Sequence, residues 1–176
     1  MFHPYKQSAF TLFELIICIA LLAIITTIAI PFYHDSKERL EVAHVFPSLK
    51  QNIDFAKNIA LTYHSDVVIC ASENLNSCQN NMWHKGMITF SDLNKNKKLD
   101  PQEQIFSVVA TNVKYGHLKW NGNVSNLHSI TFQGDTGLPR GAMGAFHYCN
   151  FKQTQHSQYL PLGMMGILRK ESNATC

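Results

Sequence analysis

Residues 10–32, FTLFELIICIALLAIITTIAIPF, are an apolar run that is interrupted by one carboxylate, that of Glu14. At 23 residues, the run is long enough to cross the ~30 Å hydrocarbon core of a membrane as a helix. A carboxylate inside such a core costs at least ~2.5 kcal/mol on insertion scales, so it indicates a functional group that meets a partner. The stretch therefore predicts a membrane-spanning helix in which Glu14 has a function.

The residues before this run form a short polar leader. They carry Lys6 as their charged residue and end in the small pair Ser8 and Ala9, where a processing enzyme could cut. The leader and the FTLFELII that follows it resemble a type III signal sequence, the N-terminal segment of type IV prepilins and pseudopilins. In that family cleavage after a small residue exposes a phenylalanine that is then N-methylated. The family usually has glycine where this chain has Ala9.

The resemblance implies a role for each of three residues. It places the cleaved bond between Ala9 and Phe10, and it makes Phe10 the N-methylated terminus of the mature protein. Glu14 then neutralises the terminal amino group of a neighbouring subunit and fixes the axial register between packed helices. The implied partners are a prepilin peptidase and methylase, other minor and major pilins, and the inner-membrane assembly platform.

The resemblance also implies a location. The chain is expected to cross the bacterial inner membrane once, with its N-terminus in the cytoplasm and its head in the periplasm, before it enters a pilus or pseudopilus. A Sec signal peptide is disfavoured, because residues 31–35 are turn-forming and polar where a small-residue cleavage site would stand. A plain signal anchor explains the length of the apolar run but not Glu14.

Length and composition leave room for one small head. The chain has 176 residues, of which 45% are hydrophobic, and about 110 residues after the helix suffice for one domain. We expect a leader at 1–9, a transmembrane helix at 10–32, its amphipathic continuation at 33–64 and a β-rich head at 65–176. The net charge of +3 and the pI of 8.6 are too mildly basic to indicate nucleic acid by themselves.

Four of the five cysteines fall in the predicted head, and four cysteines allow three pairings. We favour Cys70 with Cys78, which closes a polar loop, and Cys149 with Cys176, which ties down the chain end. Disulfides indicate an oxidising compartment, the periplasm or the cell exterior. A zinc site is disfavoured because the sequence has no CxxC or CxxxC pair.

The helical pattern continues beyond the apolar run and becomes amphipathic. Apolar residues recur at spacings of three and four, which predicts a stripe that packs on the core; they are Leu49, Ile53, Ala56, Ala60 and Tyr63. Pro31 and Pro47 each remove a backbone hydrogen bond, so we expect kinks near both.

Beyond residue 65 the pattern becomes that of strands. Seven short apolar or alternating runs are separated by Gly, Asn, Asp and Pro clusters; they are residues 67–70, 87–91, 104–109, 117–120, 129–132, 145–148 and 163–169. The predicted fold class is α+β, a long N-terminal helix packed on an antiparallel β-sheet head. The head resembles those of FimT/FimU-type minor pilins and GspH-type pseudopilins in the order of its landmarks. These are the cysteine-bracketed loop, then WHKGMITFSDLNKNKKLDPQEQIF, then ITFQGDTG, and then AFHYC.

The loop after the second predicted strand has calcium-loop spacing. Acidic and amide side chains stand at positions 1, 3, 5, 9 and 12 of an EF-hand-like segment; they are Asp92, Asn94, Asn96, Asp100 and Glu103. Lys97 replaces the glycine of position six, and two further lysines flank it. We therefore favour a polar hairpin loop with Asx turns over a metal site, and no cofactor is predicted.

DNA is a second candidate partner. FimT-like minor pilins bind DNA through a G-R-x-R motif near the end of the chain, and the matching residues here are 166–169, GILR, followed by Lys170. Arg169 and Lys170, with Arg140 and Lys152, predict weak, non-specific phosphate contact. Ile167 stands where the motif has its first arginine, so a position in the core of a strand is as well supported at this residue as a phosphate contact.

The sequence contains no GxSxG, HExxH, Walker or GxGxxG motif, so an enzyme is not expected. The predicted function is that of a minor type IV pilin, a structural subunit that primes or caps the pilus. The alternatives are a DNA-binding minor pilin of natural transformation and a GspH-type pseudopilin of type II secretion.

Overall fold

A computed structural model describes residues 11–123, 128–171 and 176, apart from the side chain of Thr154. The leader and the predicted processing residues Ala9 and Phe10 lie outside the described residues. The chain divides into two compact units, Met1–Glu38 and Arg39–Cys176.

Helix α1 (Leu12–Tyr63) is the one α-helix of the described chain. Thr11 caps its start, because the Thr11 hydroxyl oxygen accepts a hydrogen bond from the Glu14 amide at 3.3 Å. The helix ends at Tyr63, where His64 follows with a φ of 50°. Pro31 and Pro47 lie inside the helix without ending it, and a bend at either proline stays a prediction.

In the first unit the described side chains from Thr11 to Lys37 are exposed. This part of the chain holds a window with a mean hydropathy of 2.8, and it is long and apolar enough to cross a membrane. Large exposed aliphatic and aromatic side chains follow one another without a polar face. Such a surface is stable in lipid or against other apolar helices, not in water.

In the second unit the helix carries the predicted buried stripe. Leu49 and Ile53 are 1% exposed, and Ala56 and Ala60 are fully buried, which confirms the three- and four-residue spacing. Tyr63 differs from the prediction, because it is 55% exposed and stacks on the Phe106 ring with a centroid distance of 5.0 Å. The stripe therefore ends one turn before the helix does.

The described residues of the head form seven strands in two antiparallel sheets, which confirms the α+β class. The strands are β1 (Val67–Ala71), β2 (Gly86–Ser91), β3 (Ile105–Ala110), β4 (Gly116–Gly122), β5 (Ser129–Phe132), β6 (Gly144–Asn150) and β7 (Gln158–Leu162). The larger sheet has the order β3-β2-β1-β5, and the smaller has the order β4-β6-β7. Apolar side chains of both sheets join the helix stripe in one buried core.

The last strand is not where the sequence predicts it. The prediction of a strand at 163–169 is wrong, since that stretch is a turn and β7 precedes it. Pro161 lies in β7, which the strand order places at the edge of the smaller sheet, and proline is tolerated in an edge strand. Gly166 then takes a φ of +69°, a left-handed conformation that ends the apolar run as a tight turn.

Glu41 joins the helix to the smaller sheet. Its carboxylate accepts hydrogen bonds from the backbone amides of Lys114, at 2.6 Å, and Tyr115, at 3.0 Å, and from the Tyr148 hydroxyl at 2.9 Å. These bonds span more than 70 residues of sequence, so one side chain fixes the entry to β4 and the side chain of a β6 core residue. Gln158 adds a similar tie through its amide nitrogen, which donates to the Val42 carbonyl at 2.8 Å.

We predict that Glu41→Ala destabilises the head by about 2 kcal/mol or more, because it leaves two backbone donors and one hydroxyl without their acceptor. Urea unfolding of the full chain in detergent, followed by the fluorescence of the buried Trp83 and Trp120, measures this change. Tyr148→Phe removes one of the bonds and is the matched control, with an expected loss of about 1 kcal/mol. Equal unfolding midpoints for Glu41→Ala and the wild type would show that the carboxylate does not hold the helix.

Candidate functional site

The first candidate is Glu14 on the apolar part of the helix. Its backbone amide is capped by Thr11, and Thr11-x-x-Glu14 is the pattern of a capping box. Within the described residues no lysine, arginine or histidine lies at ion-pair distance from Glu14. The arrangement thus leaves the carboxylate on an exposed apolar helix surface, where a group from another molecule is able to reach it.

The four cysteines of the head form two disulfides. Cys70 is joined to Cys78 and Cys149 is joined to Cys176, which is the pairing that the sequence analysis favoured. The first disulfide closes the loop after β1, and Cys78 packs on a small apolar cluster on the outer face of the larger sheet. The second joins β6 to the last residue of the chain.

The calcium-like loop is closed by its own hydrogen bonds. The Asp92 carboxylate accepts from the backbone amides of Asn96, at 3.0 Å, and Lys97, at 2.9 Å. Asp100 accepts from the side-chain amides of both Asn94 and Asn96 at 2.7 Å. Lys97 takes the left-handed conformation that position six requires, with a φ of 59°. Burial raises the pKa of Asp92 above its ordinary value, although the amides of Lys97 and Asn96 oppose the shift.

This loop has a structural role that the sequence did not reveal. Leu99, at its tip, packs on the outer-face cluster of Val68, Cys70, Ile88 and Phe90. Glu103 closes the base of the loop, because its carboxylate accepts from the amides of Leu93 and Asp100 at 2.9 and 3.0 Å. In the part of the chain that the structure describes, no group of three or more His, Cys, Asp and Glu side chains is placed to hold a metal ion.

The residues of the predicted phosphate contact are on the surface but do not form a cluster of free cations. Arg169 and Lys170 are exposed, whereas Arg140 is paired with Asp135 at 3.4 Å. Ile167, which we considered for the strand core, is instead 50% exposed, and its neighbour Leu168 is buried. Ile167, which stands where the G-R-x-R motif has its first arginine, therefore presents an apolar side chain to the solvent.

The turn that bears Ile167 has further exposed apolar residues. Met164 is 69% exposed and Met165 is 61% exposed. The Lys57 ammonium donates to the Met165 carbonyl at 3.1 Å, which ties the turn to the helix. No sequence pattern indicated this surface, because an apolar run next to glycine is equally typical of a buried strand.

Histidines gather on the outer face of the smaller sheet, which the sequence analysis did not predict. His84 and His117 have ring centroids 4.7 Å apart, and His147 lies against Tyr159 at 4.9 Å. Burial lowers the pKa of His117, and the nearby His84 and Lys119 lower it further. Burial also lowers the pKa of His147. Strand alternation was the available signal, since 117 and 119 point away from the core residues 118 and 120.

Two family models match the chain. The one described as "Type II transport protein GspH" matches residues 48–160, and the one described as "Prokaryotic N-terminal methylation motif" matches residues 4–30. A curated relative, the fimbrial protein EcpB of Eikenella corrodens, is 44% identical over 45 residues. That match covers 26% of this chain and 28% of the length of the relative.

Among solved structures, the chain is similar to the type IV minor pilin FimU of Pseudomonas aeruginosa strain PAO1. One crystal form gives a TM-score of 0.54 at 18% identity and covers 76% of this chain and 90% of FimU. A second crystal form gives a TM-score of 0.47 at 17% identity, with 71% and 88% covered. At this identity the likeness to the first form shows a shared fold.

The histidine face predicts a dependence of stability on pH. His117 and His147 bind protons less readily in the folded head than in the unfolded chain, since the pKa of each is lowered from about 6.5. Their contribution to stability is therefore complete above about pH 6.5 and is lost as the pH falls below it. We expect His117→Gln to reduce the fall in urea midpoint between about pH 7 and 5. The exposed His128, changed to Gln, is the control, and an unchanged profile in His117→Gln would contradict the assignment.

Proposed function

This chain belongs to the GspH family of minor pilins and pseudopilins, and we propose that it is a minor type IV pilin that primes or caps the pilus. The family is one of structural pilins rather than enzymes, and its members assemble with other pilins and with membrane machinery. Membership rests on the GspH model, which matches residues 48–160, together with the methylation motif at residues 4–30. The particular role in assembly is the proposal.

One observation carries this proposal. The described side chains of the helix from Thr11 to Phe32 are all exposed and mostly apolar, and this stretch includes one carboxylate, that of Glu14, near the start of the helix. Lipid covers such a helix before assembly, and helices of other subunits cover it afterwards. Glu14 then meets the terminal amino group of a neighbouring subunit, so the charge is neutralised only in the correct register.

Processing precedes this step. Cleavage between Ala9 and Phe10 creates the amino group that Glu14 requires, and N-methylation of Phe10 follows. Before cleavage the chain spans the inner membrane once, with the leader in the cytoplasm and the disulfide-bonded head in the periplasm. The two disulfides support this orientation, because disulfides persist in oxidising compartments.

A pseudopilin of type II secretion is the second candidate function. The matching family model is described as a type II transport protein, while the similar crystal structure is that of a type IV minor pilin. Both systems require the same apolar helix, acid and β head. Loss of pili, or loss of secretion, on deletion of the gene separates the two.

We predict that Glu14→Ala is cleaved and inserted normally, because removal of a charge eases insertion, but that it lowers surface piliation or secretion by about tenfold or more. Complementation of a deletion strain measures assembly, and mass spectrometry of the chain checks for a product that starts at N-methylated Phe10. Ile17→Ala, which shortens an exposed apolar side chain of the same helix, is the matched control. Normal assembly by Glu14→Ala would remove the register role, and a chain that keeps its leader would remove the prepilin assignment.

For DNA we predict no submicromolar binding by the full chain in detergent at about 150 mM salt. One free arginine and one lysine, Arg169 and Lys170, make few phosphate contacts, and each contact weakens with salt at a log-log slope of about −0.9. A fluorescence titration with duplex DNA measures this affinity. Submicromolar binding that Arg169→Gln abolishes and Lys95→Gln leaves intact would favour a DNA-uptake pilin instead.

A further inference from the structure

Strand β3 is an edge of the larger sheet, with β2 on one side only. Across the described part of the chain, no backbone hydrogen bond to β3 comes from outside its ladder with β2. An edge strand presents a row of N–H and C=O groups that another extended chain is able to pair with. The free side of β3 is therefore a template for one more strand.

The other sheet edges are protected. Along β7, the segment after the turn pairs back, since the amides of Arg169 and Glu171 donate to the carbonyls of Pro161 and Tyr159 at 3.0 Å. Strand β5 has only four residues, and three of them are buried. Strand β4 carries Lys119 and other polar side chains on its outer face. Each of these is a known device against edge-to-edge pairing.

Strand β3 lacks the returning segment, the short length and the charged side chains of these edges, although its ladder with β2 shifts register, as at a bulge, between Thr89 and Phe90. Its six residues, IFSVVA, include no charge and no proline. Ile105 is 38% exposed and Val108 is 47% exposed, although both lie beside the buried outer-face residues Ile88 and Phe90 of β2. The apolar outer face of the sheet thus continues to the edge and ends there uncovered. Exposed β-branched residues on an unprotected edge mark a surface that associates.

A pocket beside the β3 edge indicates which side chains an added strand would carry. The pocket has a volume of about 310 Å³, and its apolar walls are Leu99, Pro101 and Ile105. The polar residues Asn76, Asp100 and Glu103 complete the lining, and no lysine or arginine is among the residues that line the pocket. An apolar side chain that faces the pocket fits these walls. The next residue along an extended strand points to the opposite face, so it complements the negative charge of Asp100 and Glu103 only through a long, flexible side chain such as that of lysine or arginine.

We propose that β3 binds an extended segment of another pilin-like head as an added strand, in which apolar residues alternate with lysine or arginine. The proposal rests on the proposed function, because it names the partner surface of an assembling pilin. Main-chain pairing with β3 supplies affinity, and the pocket next to Ile105 selects the apolar and cationic side chains. The head therefore brings a directional contact of its own to assembly, in addition to that of the apolar helix.

Peptide binding to the processed full chain in detergent tests this surface. The probe is a fluorescein-labelled peptide, VKVKVKV, and anisotropy measures its dissociation constant at about 150 mM salt. The acidic counterpart VEVEVEV should bind about tenfold more weakly or less, because its charges oppose Asp100 and Glu103. A VKVKVKV peptide that is N-methylated at every backbone nitrogen should not bind, since it lacks the donors of a strand ladder on both of its edges.

Variants of the chain locate the site. Val108→Lys should weaken VKVKVKV binding by about tenfold or more, because a lysine on an edge blocks strand addition. Val108→Thr keeps a β-branched side chain and should bind within about twofold of the wild type. Asn121→Lys adds the same charge to the exposed face of β4 and is the matched control, with binding unchanged. Equal urea midpoints show that each variant is folded.

Absence of VKVKVKV binding by the wild type, binding of the N-methylated peptide, or full binding by Val108→Lys would each overturn the proposal. Glu14→Ala should bind the peptide like the wild type, since Glu14 belongs to the other compact unit of the chain. This arm separates the two hypotheses. If the wild type binds the peptide and Glu14→Ala assembles normally, the register role alone is contradicted. If the wild type does not bind the peptide and Glu14→Ala assembles poorly, the β3 surface alone is contradicted.

Discussion

The stripe of helix residues that both sheets bury constrains the whole head. Leu49 and Ile53 pack in the core that the helix shares with both sheets. Ala56 and Ala60 are fully buried in the same core, and their small side chains allow the strands to approach the helix closely. Strands of both sheets share this core, so the smaller and the larger sheet both depend on the same helix face. A bulky or charged residue in the stripe would therefore disturb both sheets together.

Burial on the far side of the larger sheet explains the two long loops. Every residue of β1 and β2 is buried, so the sheet needs a cover on each face. The helix covers one face, and the loops that bear Cys78 and Leu99 cover the other. The disulfide and the Asx-type hydrogen bonds hold these loops closed, which gives the calcium-like sequence a structural use.

The polar groups of the chain divide between stability and recognition. Glu41 and Gln158 bond the helix to distant backbone and side-chain groups of the head. Glu14, by contrast, stands on an apolar helix surface that only lipid or another subunit is able to cover. Strand β3 is similar, since its free edge lacks the charge, proline or cover that protects the other edges. The proposed assembly contacts thus use surfaces that the fold leaves uncovered.

The sequence by itself determined the apolar helix, the buried stripe and six of the seven strands, because these depend on local periodicity. It also determined the family, since the spacing of leader, Phe10 and Glu14 is a local motif. It misplaced the last strand, because Pro161 is acceptable only at an edge and the edge position depends on the sheet order. Only the tertiary structure brought His84 to His117, Glu41 to the entry of β4 and Leu99 to the outer-face cluster. These contacts join residues far apart in the chain, and the packing of the two sheets against one helix decides which of them meet.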